Sequence, residues 1–242
     1  MSDRAALVTG GSSGIGLAIA RALGQDGHRL TVSARRPDKL ETAVKGLTDE
    51  GIEAVAVPAN MANEDEIKSL IEGHRERYGR MDVLINNAGV GIGGQIAEQQ
   101  TKHLDMQLNV NLRAVYITLR ESIALLKEAG AEHGKALVVN TASIAGKFGQ
   151  PWLATYSATK HGVVGLTQAA HGELAGDGIQ VTAFCPALVD TPMTDWAEDV
   201  PKEEMIRPED IAEAVRFLLK TSPACIVPEI QFIRAPDVQR RV

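Results

Sequence analysis

Short apolar runs alternate with longer stretches of helical spacing along the whole chain, and no other feature restricts the fold as much. The runs at 5–8, 28–33, 53–57, 82–85, 136–140, 180–184 and 229–233 have the length and β-prone content of buried strands. Between them apolar residues recur at helical intervals, as in Ile15, Ala18, Ile19, Ala22 and Leu23, or Ile67, Leu70 and Ile71. This alternation predicts βαβ crossovers, and so an α/β fold with a doubly wound parallel sheet of about seven strands and helices on both faces. With 242 residues and no internal repeat, low-complexity tract or linker, one domain over 1–242 is expected. The rhythm breaks once, at 186–208, where Pro186, Pro192, Pro201 and Pro208 accompany Glu198, Asp199, Glu203 and Glu204. An excursion of that length in a compact fold reads as a substrate lid; the alternative is a solvated surface loop.

Composition removes several function classes. Lys and Arg total 25 against 31 Asp and Glu, a net charge of −6, so neither a nucleic-acid nor a membrane partner is expected. Cys185 and Cys225 form no disulfide framework, and neither they nor the scattered histidines show ligand spacing, so no metal is expected. The start, Met1-Ser2-Asp3-Arg4, lacks the layout of a signal peptide, and no apolar run approaches the ~20 residues that span a bilayer. A reduced, cytoplasmic protein is the expectation.

The first strand runs into Thr9-Gly10-Gly11-Ser12-Ser13-Gly14-Ile15-Gly16 at the start of the first helix. Phosphate binding needs backbone N–H groups at a helix N-terminus and a chain without Cβ atoms in the way. Gly10, Gly14 and Gly16 supply this in the first βα turn, where dinucleotide-binding folds place it. The spacing is GxxxGxG, and no Gly-Lys-Ser/Thr ends it, so it is not a P-loop.

Tyr156 and Lys160 are four apart, which puts them on one face of a helix. A free tyrosine, with a pKa near ~10, is too weak an acid for proton transfer at neutral pH. A nearby ammonium, together with the positive charge of an oxidised cofactor when one is bound, favours the phenolate and is expected to move that pKa down. Ser143 follows the fifth strand at its C-terminal end, where open parallel sheets hold their ligands.

Five motifs in order, the glycine turn, Asn86-Asn87-Ala88-Gly89, Asn111 in Asn109-Val110-Asn111-Leu112, Ser143, and Tyr156-Ser157-Ala158-Thr159-Lys160, make the chain resemble the short-chain dehydrogenase/reductase family over roughly 5–193. The resemblance implies a Rossmann-like fold and an oxidoreductase. It implies Tyr156 as general acid and base, Ser143 as donor to the substrate oxygen, Lys160 on the nicotinamide ribose, and Asn111 anchoring a water in a proton relay. For Ser143 and Asn111, capping or turn chemistry is the alternative. The implied cofactor contacts are Gly10, Ser12, Ser13, Gly14, Ile15 and Gly16 in the turn, Asn60 and Met61 after the third strand, and Asn87, Ala88 and Gly89 after the fourth. Pro186, Val189 and Thr191 follow the sixth, joining Tyr156 and Lys160.

The second strand is followed by Ala34-Arg35-Arg36, where NAD-binding members carry a carboxylate for the ribose diol. An arginine there suits a 2′-phosphate, so NADP(H) is expected, with Arg35 and Arg36 as contacts unless they are solvated surface charges. The chain departs from the family pattern at Asn60, where Asp is common, at Pro186-Ala187 in place of Pro-Gly, and in a C-terminus without the glycine-rich ending. The expected activity is hydride transfer between NADP(H) and a carbonyl or alcohol, in an apolar pocket met by Trp152 and Trp196. The alternative is a non-enzymatic NADP(H)-binding redox sensor. A sugar epimerase would need more chain after Met193 for its sugar-binding portion. The resemblance also implies a homodimer or homotetramer, through helices near 101–129 and 157–175.

Overall fold

The computed structural model describes residues 4–239, so Met1-Ser2-Asp3, read above as lacking a signal-peptide layout, lies outside the described residues. The described residues form a seven-stranded sheet of β1 (Ala5–Thr9), β2 (Arg29–Ala34), β3 (Ala54–Pro58), β4 (Val83–Asn86), β5 (Ala136–Thr141), β6 (Ile179–Pro186) and β7 (Glu229–Phe232). All six pairings are parallel, in the order β3-β2-β1-β4-β5-β6-β7. Every strand expected from sequence is present, displaced by one or two residues at its ends.

Helices follow the strands as α1 (Gly14–Gln25), α2 (Pro37–Asp49), α3 (Glu64–Tyr78), α4 (Thr101–Leu108), α5 (Ala114–His133), α6 (Ala154–Leu174), α7 (Pro208–Lys220) and the short α8 (Ala235–Gln239). Alternate strand residues face opposite layers. Ala6, Val8, Val83, Ile85, Leu137 and Val139 pack with α1, α2 and α7. Leu7, Leu84 and Val138 pack with α3, α5 and α6. Burial on both faces explains why these strands read as continuous apolar runs rather than alternating ones.

The strand order reverses between β1 and β4, whose connections leave toward opposite faces. That switch point opens a crevice at the C-terminal strand ends. The break foreseen at 186–208 is where the chain leaves β6 at Pro186 and enters α7 at Pro208. It is tied back on itself: Asp190 N–H donates to Ile206 O (2.9 Å) and Ile206 N–H to Leu188 O (3.0 Å). No helix among the described residues is long and apolar enough to cross a membrane.

Candidate active site

The glycine turn is shaped by what its neighbours leave no room for. Gly10 has φ +67°, and a Cβ there would lie 2.8 Å from Ala88 Cα. A Cβ on Gly16 would lie 2.3 Å from the Gly10 carbonyl oxygen. Both positions therefore require glycine for the helix to start this close to β4. Thr9 locks the arrangement, because its hydroxyl donates to Ile85 O (3.2 Å) and accepts from the N–H groups of Asn87 (3.0 Å) and Ala88 (3.1 Å). The Asn87 amide spans the crevice, donating to Gly10 O (3.3 Å) and accepting from the Thr141 hydroxyl (3.3 Å).

A cavity of about 360 Å³ lies at this switch point. Its wall brings together Gly10, Ser12, Ser13, Gly14 and Ile15 from the turn, Arg35 and Arg36 after β2, and Asn60 and Met61 after β3. Asn87, Ala88 and Gly89 after β4, Ser143 after β5, Tyr156 and Lys160 on α6, Pro186 at the end of β6, and Val189 and Thr191 beyond it join them. Gly16 and Asn111 stand outside the wall, and so do Trp152 and Trp196, which were expected to meet the substrate pocket. Gly16 is buried behind the turn. The Asn111 side chain donates to Val90 O (2.8 Å) and to the Thr159 hydroxyl (3.2 Å), and accepts from Val90 N–H (2.8 Å). It thus fixes the chain beyond β4, from within a π turn (Asn109–Arg113) that interrupts the helix between α4 and α5.

The catalytic candidates converge on one end of the cavity. Tyr156 is half-buried beside Ser143, whose hydroxyl accepts from Ala145 N–H (3.1 Å) and donates to Pro186 O (3.4 Å). Lys160 Nζ donates to Thr141 O at 2.6 Å and lies 5.6 Å from the centre of the Tyr156 ring. Burial brings this ammonium down to about 8. Burial pushes the Tyr156 phenol up from its ordinary value, and the Ser143 hydroxyl pulls the other way. In the chain by itself burial prevails over the downward shift expected with the oxidised cofactor, and Lys160 keeps two further N–H donors beside its bond to Thr141 O.

The other end suits an anionic nucleotide. The first turn of α1 carries no acidic residue, and its N-cap Ser13 makes no side-chain capping bond, so its N–H groups are open to a diphosphate. A Cβ on Gly14 would lie 2.8 Å from Thr191 Cγ2, so any side chain there would crowd the cradle. Arg35 and Arg36 are exposed and have no ion-pair partner among the described residues. Ala34 leaves the strand end without a carboxylate. Asn60 Oδ1 already accepts from Ala62 N–H (3.1 Å), which leaves one acceptor site for an adenine amine.

Residues 4–201 match the family described as short chain dehydrogenase. The chain belongs to the short-chain dehydrogenase family. A putative ketoacyl reductase of Streptomyces coelicolor is 39% identical over 93% of this chain and 93% of its own length. The 3-oxoacyl-(acyl-carrier-protein) reductase FabG of Staphylococcus aureus is 35% identical over 89% of this chain and 90% of its own. Among solved structures, actinorhodin polyketide ketoreductase with NADPH superposes with a TM-score of 0.84 at 38% identity, covering 94% of this chain and 95% of that one. This short-chain dehydrogenase is thus an NAD(P)-dependent oxidoreductase.

Sequence reasoning missed Thr9 and Thr141, which hold the crevice together. Their only sequence signal is their place at the last residue of a strand.

Proposed function

We propose that this enzyme interconverts a carbonyl compound and its alcohol with NADP(H) as hydride carrier. The convergence of Ser143, Tyr156 and Lys160 at one end of a cavity whose other end presents Arg35, Arg36 and the open start of α1 carries this reading. The NADPH-bound relative and the reductases named for ketoacyl groups support it. Gly10, Ser12, Ser13, Gly14 and Ile15 receive the diphosphate, and Gly16 lets them do so. Arg35 and Arg36 take the 2′-phosphate, Asn60 and Met61 the adenine, and Asn87, Ala88 and Gly89 the middle of the cofactor. Pro186, Val189 and Thr191 flank the nicotinamide, which when bound gives or accepts the hydride.

Tyr156 gives its proton to the carbonyl oxygen during reduction and takes one back during oxidation. Ser143 donates a hydrogen bond to the same oxygen as charge grows on it. Lys160 holds the nicotinamide ribose. Asn111, fixed on Val90, anchors a water that completes the proton relay. The chain acts as one domain, with 186–208 as the lid and Trp196 on it. Exposed Leu104, Met106, Leu108 and Tyr116 on α4 and α5 support a homodimer or homotetramer. The two free cysteines fit a cytoplasmic setting.

The test is a panel of ketones, aldehydes and alcohols read by NADPH absorbance. At least one carbonyl should be reduced. Tight NADPH binding with no turnover across the panel would instead establish the sensor, which needs no proton donor.

A further inference from the structure

Trp152 is the only non-glycine residue among those described with a positive φ, +69°. Leu153 N–H donates to Gln150 O (3.1 Å), closing a turn with Pro151 second and Trp152 third. The third position of such a turn, when φ is positive, calls for glycine or asparagine. A tryptophan kept there needs a compensating contact, and the structure shows two. The Trp152 carbonyl accepts from Gly94 N–H at 2.8 Å. Its indole lies so close over Gly93 that a Cβ there would sit 2.1 Å from Cζ3, 2.2 Å from Cε3 and 2.4 Å from Cη2.

Both contacts fall on the segment 89–94, which also reaches the catalytic tyrosine. A Cβ on Gly91 would lie 3.8 Å from Tyr156 Cε2, so the chain passes directly beside that ring. The segment has few other anchors: Asn111 on Val90, Gln107 on Ile92 N–H (3.1 Å) and Gln99 on Ile92 O (3.2 Å). Beyond Ile92, Trp152 is what joins it to the loop leading into α6. Trp152 remains 53% exposed and, though outside the wall of the 360 Å³ cavity, presents an apolar surface two residues along from the glycine that flanks Tyr156. Met193, 47% exposed, lines the same cavity as Tyr156.

We infer that Trp152 is a positioning and specificity residue: it latches 89–94 beside Tyr156 and offers a flat apolar wall to the substituent of the substrate ketone that does not react. The inference rests on the carbonyl-reduction reading above. It selects ketones with an aromatic or extended apolar substituent over small aliphatic ones, and it makes Gly93 obligatory because the indole occupies the space a side chain would take.

Two substitutions perturb the same contact from opposite sides. Trp152→Gly keeps the backbone conformation and deletes the ring. Gly93→Ala keeps the ring and displaces it. The ratio of kcat/KM for an aryl ketone to that for a small aliphatic ketone should fall roughly 10-fold in each, the scale of a lost apolar contact. It should fall no further in the double variant, and Trp152→Phe should recover most of it. The NADPH dissociation constant should not move. An unchanged ratio in Trp152→Gly, or losses that multiply in the double variant, would overturn the inference. A thermal-unfolding cycle on the same four proteins reads the latch without turnover. Gly93→Ala should lower Tm in the wild type and not in the Trp152→Gly background; equal lowering in both refutes the contact. If the wild type reduces no carbonyl, the substrate half falls with the reading it rests on, and the unfolding cycle still decides the latch.

Discussion

Arg35→Ala should weaken NADPH and leave NADH nearly untouched. The reason lies at the end of β2, where Ala34 offers no carboxylate and Arg35 and Arg36 stand exposed at the cavity wall. The nearest acid in sequence, Asp38, lies in the first turn of α2 and makes no ion pair with either. The guanidinium thus has no competing partner to give up when a 2′-phosphate arrives. A hydrogen bond to a charged group contributes about 1.5–3 kcal/mol. At about 1.4 kcal/mol per decade, that is roughly a 10- to 150-fold rise in the NADPH dissociation constant. Arg35→Asp should exceed this, because repulsion adds to the lost pairing. The NADPH preference should also shrink with added salt, since these charges face water. Fluorescence titration of both cofactors against wild type and variants measures the difference. Equal weakening of NADPH and NADH, or a wild type that prefers NADH, would show that the phosphate sits elsewhere.

Three further outcomes follow from the geometry. His74 is buried between the Thr31 hydroxyl (2.8 Å) and the Arg80 carbonyl (3.0 Å), and burial brings it down to about 4. Its Nε2 donates to the carbonyl and its Nδ1 accepts, so the ring is neutral. With the unfolded value near 6.5, the stability this gives is full above pH ~6.5 and declines by about 1.4 kcal/mol per unit toward pH 4. His74→Gln should flatten the Tm profile between pH 7 and 5, with a residual slope from His28, which burial also lowers; an unaltered profile would show that the ring charges in place. Gly16→Ala forces a Cβ to within 2.3 Å of the Gly10 carbonyl, and overpacking of this kind costs about 1–3 kcal/mol. NADPH affinity and Tm should drop together, and loss of stability with full affinity would detach Gly16 from the cradle. Sedimentation should give the mass of two or four chains at micromolar concentration, and a single-chain mass there would contradict the role given to the exposed apolar residues of α4 and α5.

Strands buried on both faces announce themselves as apolar runs, so the sheet was legible to within two residues of every strand end. The excursion from Pro186 to Pro208 was legible for a related reason: proline marks both of its borders. The glycines of the turn and the Tyr156 and Lys160 pair were legible through their spacing together with the family resemblance, not through spacing alone. The partner of Asn111 was not legible, because an amide serves a backbone or a water equally well, and here the backbone of Val90 holds the side chain. The electrostatics of Tyr156 were legible only in part. Spacing reveals that an ammonium is near, but not that it is anchored on Thr141 O or that the phenol is desolvated. Nor could spacing show Trp152 in a glycine conformation against Gly93, a contact between segments nearly sixty residues apart.

The central claim is that Tyr156 hands a proton to a forming alkoxide. Tyr156→Phe keeps the ring beside Gly91 and Ser143 and removes only the O–H. Measured on a carbonyl that the wild type reduces, turnover should fall at least ~10²-fold, the scale of a lost positioned acid, while the NADPH dissociation constant stays within about twofold. A Phe variant that turns over at the wild-type rate would contradict the account outright, whatever the protein reduces.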